Sequence, residues 1–404
     1  MRKTKVKIGL ILFVLMGLLI GCNQTTGTSS GDNNSKDDNK KPSALKVGGL
    51  FAMTGPFASY GEQQSRGVQL AFDEINEAGG IDGTKLELKI EDTVGEPTTA
   101  VNGINKLISV EKVPWIFNSV SNVIMATTPI GEQNKTVMIN GGGTSPVLAG
   151  LSPYLFSNIP LETIHIRALA DYAYNELGKK KLAILYPNDD LGNGDKDAMK
   201  KAWEQLGGKV MAIEVAEGGA SDFKAQLSKI KAANPEAIYI AVGGQQIAIA
   251  LNQAKELGID SQILGTSFWT VPDTIKAAKG SSEGVLFSTQ QWNPASPTND
   301  MAKKFVEHFK EKYKEDPLQN STSYYAAAYM LKDVVSYLYK NNLPLTGEEM
   351  RNALLAIKTF ETPFGKLSFN KDGSANLPVT IMTVKDASFQ KVQDVDIKVF
   401  EKFK

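Results

Sequence analysis

Short apolar runs alternate with longer segments whose apolar residues recur at helical spacing, and this alternation starts twice along the chain. The first series opens with the run Leu45 to Met53. From Glu62 to Ala78, Val68, Leu70, Ala71, Phe72 and Ile75 then repeat on one helix face until Gly79-Gly80 stops it. Strands are predicted at Lys85–Glu91, Val113–Asn118 and Thr136–Asn140. Helices between them run from Pro97 to about Val110 and from near Asn122 to about Asn134. After a short strand at Tyr154–Asn158 the pattern begins afresh with a helix at Leu161–Leu177. Strands follow at Leu182–Tyr186, Lys209–Val215, Ala237–Val242 and Gln262–Leu264, with helices near 195–206, 222–232 and 244–257. Strand–helix–strand repetition predicts an α/β fold of parallel sheets with helices on both faces. Two successive series predict two doubly wound, Rossmann-like lobes with a cleft between them.

The remainder departs from that pattern. A strand at Gly284–Ser288 leads into Gln290-Gln291-Trp292-Asn293-Pro294 and helices near 298–314, 320–341 and 347–356. Short strands at Gly365–Phe369, Val379–Val384 and Phe389–Val395 close the chain, with turns at Asp372-Gly373 and Asp386.

The stretch Trp115 to Thr144 holds the best candidate site. Two consecutive strands in it end in small polar or glycine residues, Ser119-Val120-Ser121-Asn122 and Gly141-Gly142-Gly143-Thr144. In open parallel sheets ligands sit beyond the carboxyl ends of the strands. A helix start near Asn122 offers free N–H groups to an anion, and the Ser121 and Thr144 hydroxyls add donors. Gly142 lets a ligand approach the main chain closely. The expected guest at this wall is a carboxylate. The alternative reading makes Ser121 a helix cap and the glycines a turn.

The N-terminus reads as a leader. Arg2, Lys3, Lys5 and Lys7 precede the apolar run Ile8 to Ile20, which is shorter than a comfortable bilayer span. It ends in Leu19-Ile20-Gly21-Cys22, which resembles the lipobox of bacterial lipoproteins. That resemblance implies a signal peptide over 1–21 and acylation of Cys22, the chain's one cysteine. Residues 22–44 are almost devoid of apolar side chains and read as a disordered tether. The expected protein is extracytoplasmic and attached to the membrane by the lipid on Cys22.

Enzyme signatures are missing from the sequence: no phosphate loop, no dinucleotide fingerprint and no nucleophile elbow occurs. Asp189-Asp190 precedes Leu191-Gly192-Asn193-Gly194 and reads as a loop entering a helix. With only His165 and His308 present, there is little material for zinc chemistry, and both are expected on surfaces or helix faces. Basic and acidic residues balance at 44 each, and removing the leader leaves the chain slightly acidic. No basic patch is evident, so nucleic acid is not an expected partner. No cofactor or catalytic residue is expected.

The segment Val47 to Gly61 (Val-Gly-Gly-Leu-Phe-Ala-Met-Thr-Gly-Pro-Phe-Ala-Ser-Tyr-Gly), followed by Gly67 to Ala71, Ile75-Asn76 and Gly79-Gly80-Ile81, resembles the N-terminus of the branched-chain amino acid binding proteins of ABC transporters. The resemblance extends over about residues 45 to 400. It implies the type I periplasmic-binding fold, with two lobes joined by three crossovers near Asn158–Pro160, Ser288–Gln290 and Phe369–Gly373. The first lobe would comprise 45–159 and 290–370, and the second 160–289 and 371–404. It also implies a monomer that passes a small-molecule ligand to permease subunits.

By that resemblance the ligand carboxylate meets Ser121, Gly142 and Thr144, with Tyr60 at the cleft mouth and Glu162 just past the first crossover. In the second lobe, Leu191 and Gly243 stand where amino acid binders carry tyrosines. Ser267 and Phe268 fall where a glutamate pairs with the ligand ammonium. Phe268 and Trp292 would add aromatic surface to the cleft, or belong to the core. Since a buried ammonium needs an anion, the alternative ligand is an aromatic or aliphatic carboxylate or amide without an ammonium. A ligand-sensing component of a signalling system is the other class. The primary expectation is a branched-chain or other apolar amino acid.

Overall fold

The computed structural model describes residues 41–217, 220–270 and 277–403, without the side chains at 268, 270, 397 and 401. The expected leader, Cys22 and most of the tether fall outside the described residues. Five parallel strands form the first sheet: β1 (Ala44–Phe51), β2 (Lys85–Asp92), β3 (Trp115–Asn118), β4 (Val137–Asn140) and β5 (Leu155–Ser157), in the order β2-β1-β3-β4-β5. Every residue of β3 and β4 is buried. Central parallel strands are covered on both faces, which is why they read as continuous apolar runs.

Helix α1 (Ala58–Glu77) packs on one face of this sheet, and α2 (Pro97–Ser109) and α3 (Ser121–Gln133) on the other. The second sheet contains β6 (Lys181–Pro187), β7 (Lys209–Ala216), β8 (Ala237–Ile240), β9 (Gln262–Gly265) and β10 (Leu286–Gln290). Helices α4 (Glu162–Asp171) and α5 (Asp190–Gln205) cover one face, and α6 (Lys224–Ala232) and α7 (Gln245–Glu256) the other. The chain then returns to the first lobe with α8 (Asp300–Tyr313), α9 (Gln319–Lys340) and α10 (Gly347–Ala356). A three-stranded sheet follows, made of β11 (Phe360–Thr362), β12 (Gly365–Phe369) and β13 (Ala375–Asn376). Strands β14 (Val379–Lys385) and β15 (Ser388–Val395) finally add antiparallel to β10, giving the order β15-β14-β10-β9-β8-β6-β7.

The third crossover falls later than Phe369–Gly373. Ser374 bridges to Ser157 of β5, and β13 pairs with β12, so the chain stays with the first lobe until after Asn376. Turn chemistry at Asp372-Gly373 marked a reversal there, and the reversal lies within the small sheet.

Each large sheet has one switch point. In the first, the chain moves from β1 outward to β2 and then resumes on β1's other side with β3; in the second it does the same around β6, with β7 and β8. The crevices that such reversals open lie at the carboxyl ends of β1 and β3, and of β6 and β8. Those ends carry Ser119–Ser121 in one lobe, and Leu191 and Gly243 in the other.

The first lobe is also tied by a half-buried acid. Glu74 of α1 accepts hydrogen bonds from the Tyr325 and Tyr329 hydroxyls of α9 at 2.9 and 2.5 Å, and pairs with Lys304 and His308 of α8. Burial alone would raise its pKa; the bonds led by Tyr329 and Lys304 outweigh it and hold the carboxyl below its usual value.

Candidate functional site

The first-lobe wall is built from two interlocked turns. Val120, between β3 and α3, has φ +65°, a value β-branched residues rarely adopt. That backbone places Ser121 at the start of α3 without a side-chain cap, so the capping alternative does not hold. The Ser121 hydroxyl instead accepts from Ser145 N at 3.3 Å. Asn140, fully buried at the end of β4, ties the other turn: its Oδ1 accepts from Gly142 N (3.1 Å) and Gly143 N (2.7 Å), and its amide donates to Gly143 O and Ser157 Oγ. A Cβ on Gly142 would lie 2.9 Å from Gln64 Nε2 and Ser119 Oγ, and one on Gly143 only 2.7 Å from Ile124 Cδ1. The Tyr324 hydroxyl of α9 donates to Asn118 O at 2.6 Å and fixes the end of β3. With these bonds made, the buried hydroxyls of Thr144 and Ser145 still lack partners.

Glu162 joins this wall to the second lobe. Its N–H donates to Thr144 O at 2.7 Å, while its fully buried carboxylate accepts from Ser267 N (3.0 Å) and Ser267 Oγ (2.5 Å) beyond β9. It is therefore not a helix cap. Burial raises its pKa to about 7, against the opposing pull of the Ser267 bonds.

A second carboxyl lies beside it. Asp195, in the second turn of α5, is fully buried, and neither oxygen has a hydrogen-bond partner. Burial, then repulsion from Glu162 and Asp189, pushes its pKa well above the carboxylate range. The buried Tyr239 hydroxyl of β8 faces Asp195 closely enough to oppose that rise, although no well-formed hydrogen bond joins them, and Thr266 Oγ1 at the end of β9 is unpartnered. Among the described residues, no lysine, arginine or histidine contributes charge to either acid's environment. His165, expected on a surface, is buried in α4. It bonds Ser288 Oγ at 3.0 Å and is kept neutral by burial, which lowers its pKa to about 3.

The other expected residues are placed unevenly. Leu191 lies half-buried in the first turn of α5, which starts at Asp190 and so takes in the residues expected as a loop; Asp189 caps it, its side chain accepting from Gly192 N at 2.7 Å. Gly243 is exposed after β8 with open space around its Cα. Tyr60 is exposed at the start of α1, beside Phe57. Asn122 is exposed, and its Oδ1 accepts from Val123 N, so it serves its own helix. Phe268 lies in the 3-10 turn Ser267–Thr270, its side chain outside the described residues. Trp292 is a correction: it packs against Phe305 and Phe364 of the first-lobe core and donates to Pro317 O, so its surface belongs to the core.

Sequence reasoning missed Asp195, Asn140 and Gln64. Asp195 falls four residues after Leu191, hence on the same helix face, and an acid on an inward face was the available signal. Asn140 stood in plain view as the polar end of an apolar strand.

A family model described as periplasmic binding protein matches residues 44–389. The leucine-, isoleucine-, valine-, threonine- and alanine-binding protein of Pseudomonas aeruginosa is 29% identical over 331 residues, covering 81% of this chain and 86% of that protein. The crystal structure of a leucine-binding protein from Thermotoga maritima superposes with a TM-score of 0.76 at 28% identity, over 87% of this chain and 99% of the other. A Rhodopseudomonas palustris ABC-transporter solute-binding protein solved with 3,4-dihydroxybenzoic acid has a TM-score of 0.71 at 22% identity, over 88% of this chain and 98% of that one. Two parallel-sheet lobes whose switch points carry the candidate residues, together with the match over residues 44–389, show that the chain belongs to the periplasmic binding protein family.

Proposed function

We propose that the protein is the lipid-anchored, extracytoplasmic receptor of an ABC importer and that it encloses an α-amino acid, a branched-chain or other apolar one by family likeness. The observation that carries this reading is the pair of buried acids without a cation, Glu162 and Asp195, across from the free hydroxyl of Thr144. Ser121, Thr144 and the start of α3 would take the carboxylate, and Glu162 the ammonium. A carboxylate ligand without an ammonium would leave both acids uncompensated, which disfavours that alternative. Ligand contacting both lobes selects the closed form, and the permease reads that shape; no chemical turnover is involved.

A thermal-shift screen of the full chain tests the ligand class. Leucine, isoleucine or valine at a hundred times its dissociation constant should stabilise by about 2.7 kcal/mol. 4-Methylpentanoate, which is leucine without its ammonium, and benzoate should not. A response to the acids alone sinks the reading. Ser121→Ala with Thr144→Ala should weaken binding about a hundredfold, two charge-assisted hydrogen bonds being lost; unchanged affinity in titration calorimetry would return both residues to turn duty. Cys22→Ala should move the protein from the membrane to the soluble fraction of the expressing cells. Continued sedimentation with membranes would refute the lipid anchor.

A further inference from the structure

An ammonium placed on Glu162 leaves Asp195 without a countercharge. Asp195 is fully buried with both oxygens unpartnered, and its charged and titratable neighbours are Glu162, Asp189 and Tyr239, none of them a cation. His165 on α4 is neutral and engaged by Ser288. Two further buried oxygens at the same ends of the second sheet lack partners, the Tyr239 hydroxyl and Thr266 Oγ1. The site lies against the first-lobe wall, because a Cβ on the adjoining Gly194 would touch Pro146 at 3.4 Å, two residues from Thr144.

We infer that Asp195, Tyr239 and Thr266 form a second cation subsite, which widens the ligand range from apolar amino acids to α-amino acids bearing a second amino group. The inference rests on the proposed reading, in which the first lobe holds the α-carboxylate and Glu162 the α-ammonium. A side-chain ammonium has three N–H donors and no acceptor. The subsite offers three unpartnered acceptors, one of them a carboxylate. Burial otherwise holds the Asp195 carboxyl protonated; a second ammonium would favour its ionised form and pair with it. Half-buried Leu191, one helical turn from Asp195, would cover the methylene stem of such a side chain, and Gly243 leaves space where a tyrosine would fill it.

Titration calorimetry on the full chain with matched pairs decides the matter: 2,4-diaminobutyrate, ornithine and lysine, each beside its unbranched monoamino counterpart of equal length. At least one diamino acid should bind tenfold or more tighter than its partner. Asp195→Asn keeps the shape, and should weaken that diamino acid roughly tenfold to a hundredfold more than it weakens the monoamino partner. Tyr239→Phe, which keeps the buried ring, should narrow the same preference and serves if the first variant fails to fold. Monoamino acids binding as tightly as every diamino partner would overturn the inference and leave the amino acid reading standing. An Asp195→Asn protein that retains the full preference would also overturn it. Failure of all amino acids to bind would take down both.

Discussion

Glu162→Gln is expected to stabilise the ligand-free protein at neutral and alkaline pH and to weaken amino acid binding a hundredfold or more. The carboxyl sits in a fully buried site that raises its pKa from 4.5 to about 7. Below pH 4.5 it is protonated in both folded and unfolded chains, and its burial carries no ionisation penalty. Between 4.5 and about 7 the unfolded chain releases the proton and the folded one keeps it, so stability falls as pH rises. Above about 7 the full penalty applies, on the order of 3 kcal/mol from the gap between the two values. Glutamine is isosteric and has no charge to desolvate: its carbonyl can accept from Ser267 N, and its amide can donate to Ser267 Oγ. Denaturant titrations over a pH series should therefore show the two proteins converging below pH 4.5 and separating above 7, the variant being more stable. Parallel curves across the whole range would mean that Glu162 is not the strained acid. The affinity loss has a separate cause: a neutral amide cannot compensate a desolvated ammonium. Stability would rise as function falls, the expected signature of a site kept charged for its ligand.

Gly67→Ala should destabilise the protein by about 3 kcal/mol, although alanine in a helix ordinarily gains about 1 kcal/mol over glycine. Gly67 lies in α1 where it crosses α9, and a Cβ there would stand 2.1 Å from Ser321 O and 2.9 Å from Ser321 C. Both are backbone atoms of a helix, so the two helices would have to separate. Their separation would loosen Tyr324, which lies three residues beyond Ser321 and pins Asn118 at the start of the ligand turn. Gly103→Ala is the contrast. Its Cβ would meet Leu50 Cδ2, the end of a flexible side chain, and Glu91 Cβ, both at 3.0 Å, so an adjustment of a few tenths of an ångström relieves it and its effect should stay within about 1 kcal/mol. Chemical denaturation of both variants separates the cases. Equal effects would show that the α1–α9 contact is not the close one.

Local periodicity carried most of the architecture. Strand β1 was expected at Leu45–Met53 and forms at Ala44–Phe51, and α10 was expected at 347–356 and forms there. Side-chain and glycine patterns report burial within a few residues, and parallel strands between helices have few alternative assemblies. The third crossover, which the resemblance placed near Phe369–Gly373, falls later because a likeness of sequence does not say which sheet a short strand such as β13 joins. Trp292 was ambiguous for a similar reason: an aromatic side chain reads the same in a cleft and in a core, and only its contacts with Phe305 and Phe364 distinguish them.

By itself, then, the sequence determined a doubly wound chain in two series, with glycines and hydroxyls, Ser121 and Thr144 among them, at the ends of two adjacent strands. Tertiary structure alone decided the opposite wall. Glu162, which the resemblance already singled out past the first crossover, meets Ser267 105 residues away, and Asp195, which the sequence did not single out, lies near it from a third segment. Hydrophobic period, caps and turns are local quantities, set within one or two helical turns. The approach of two buried carboxylates is set by how α4 and α5 pack side by side on the second sheet, and no local pattern encodes it.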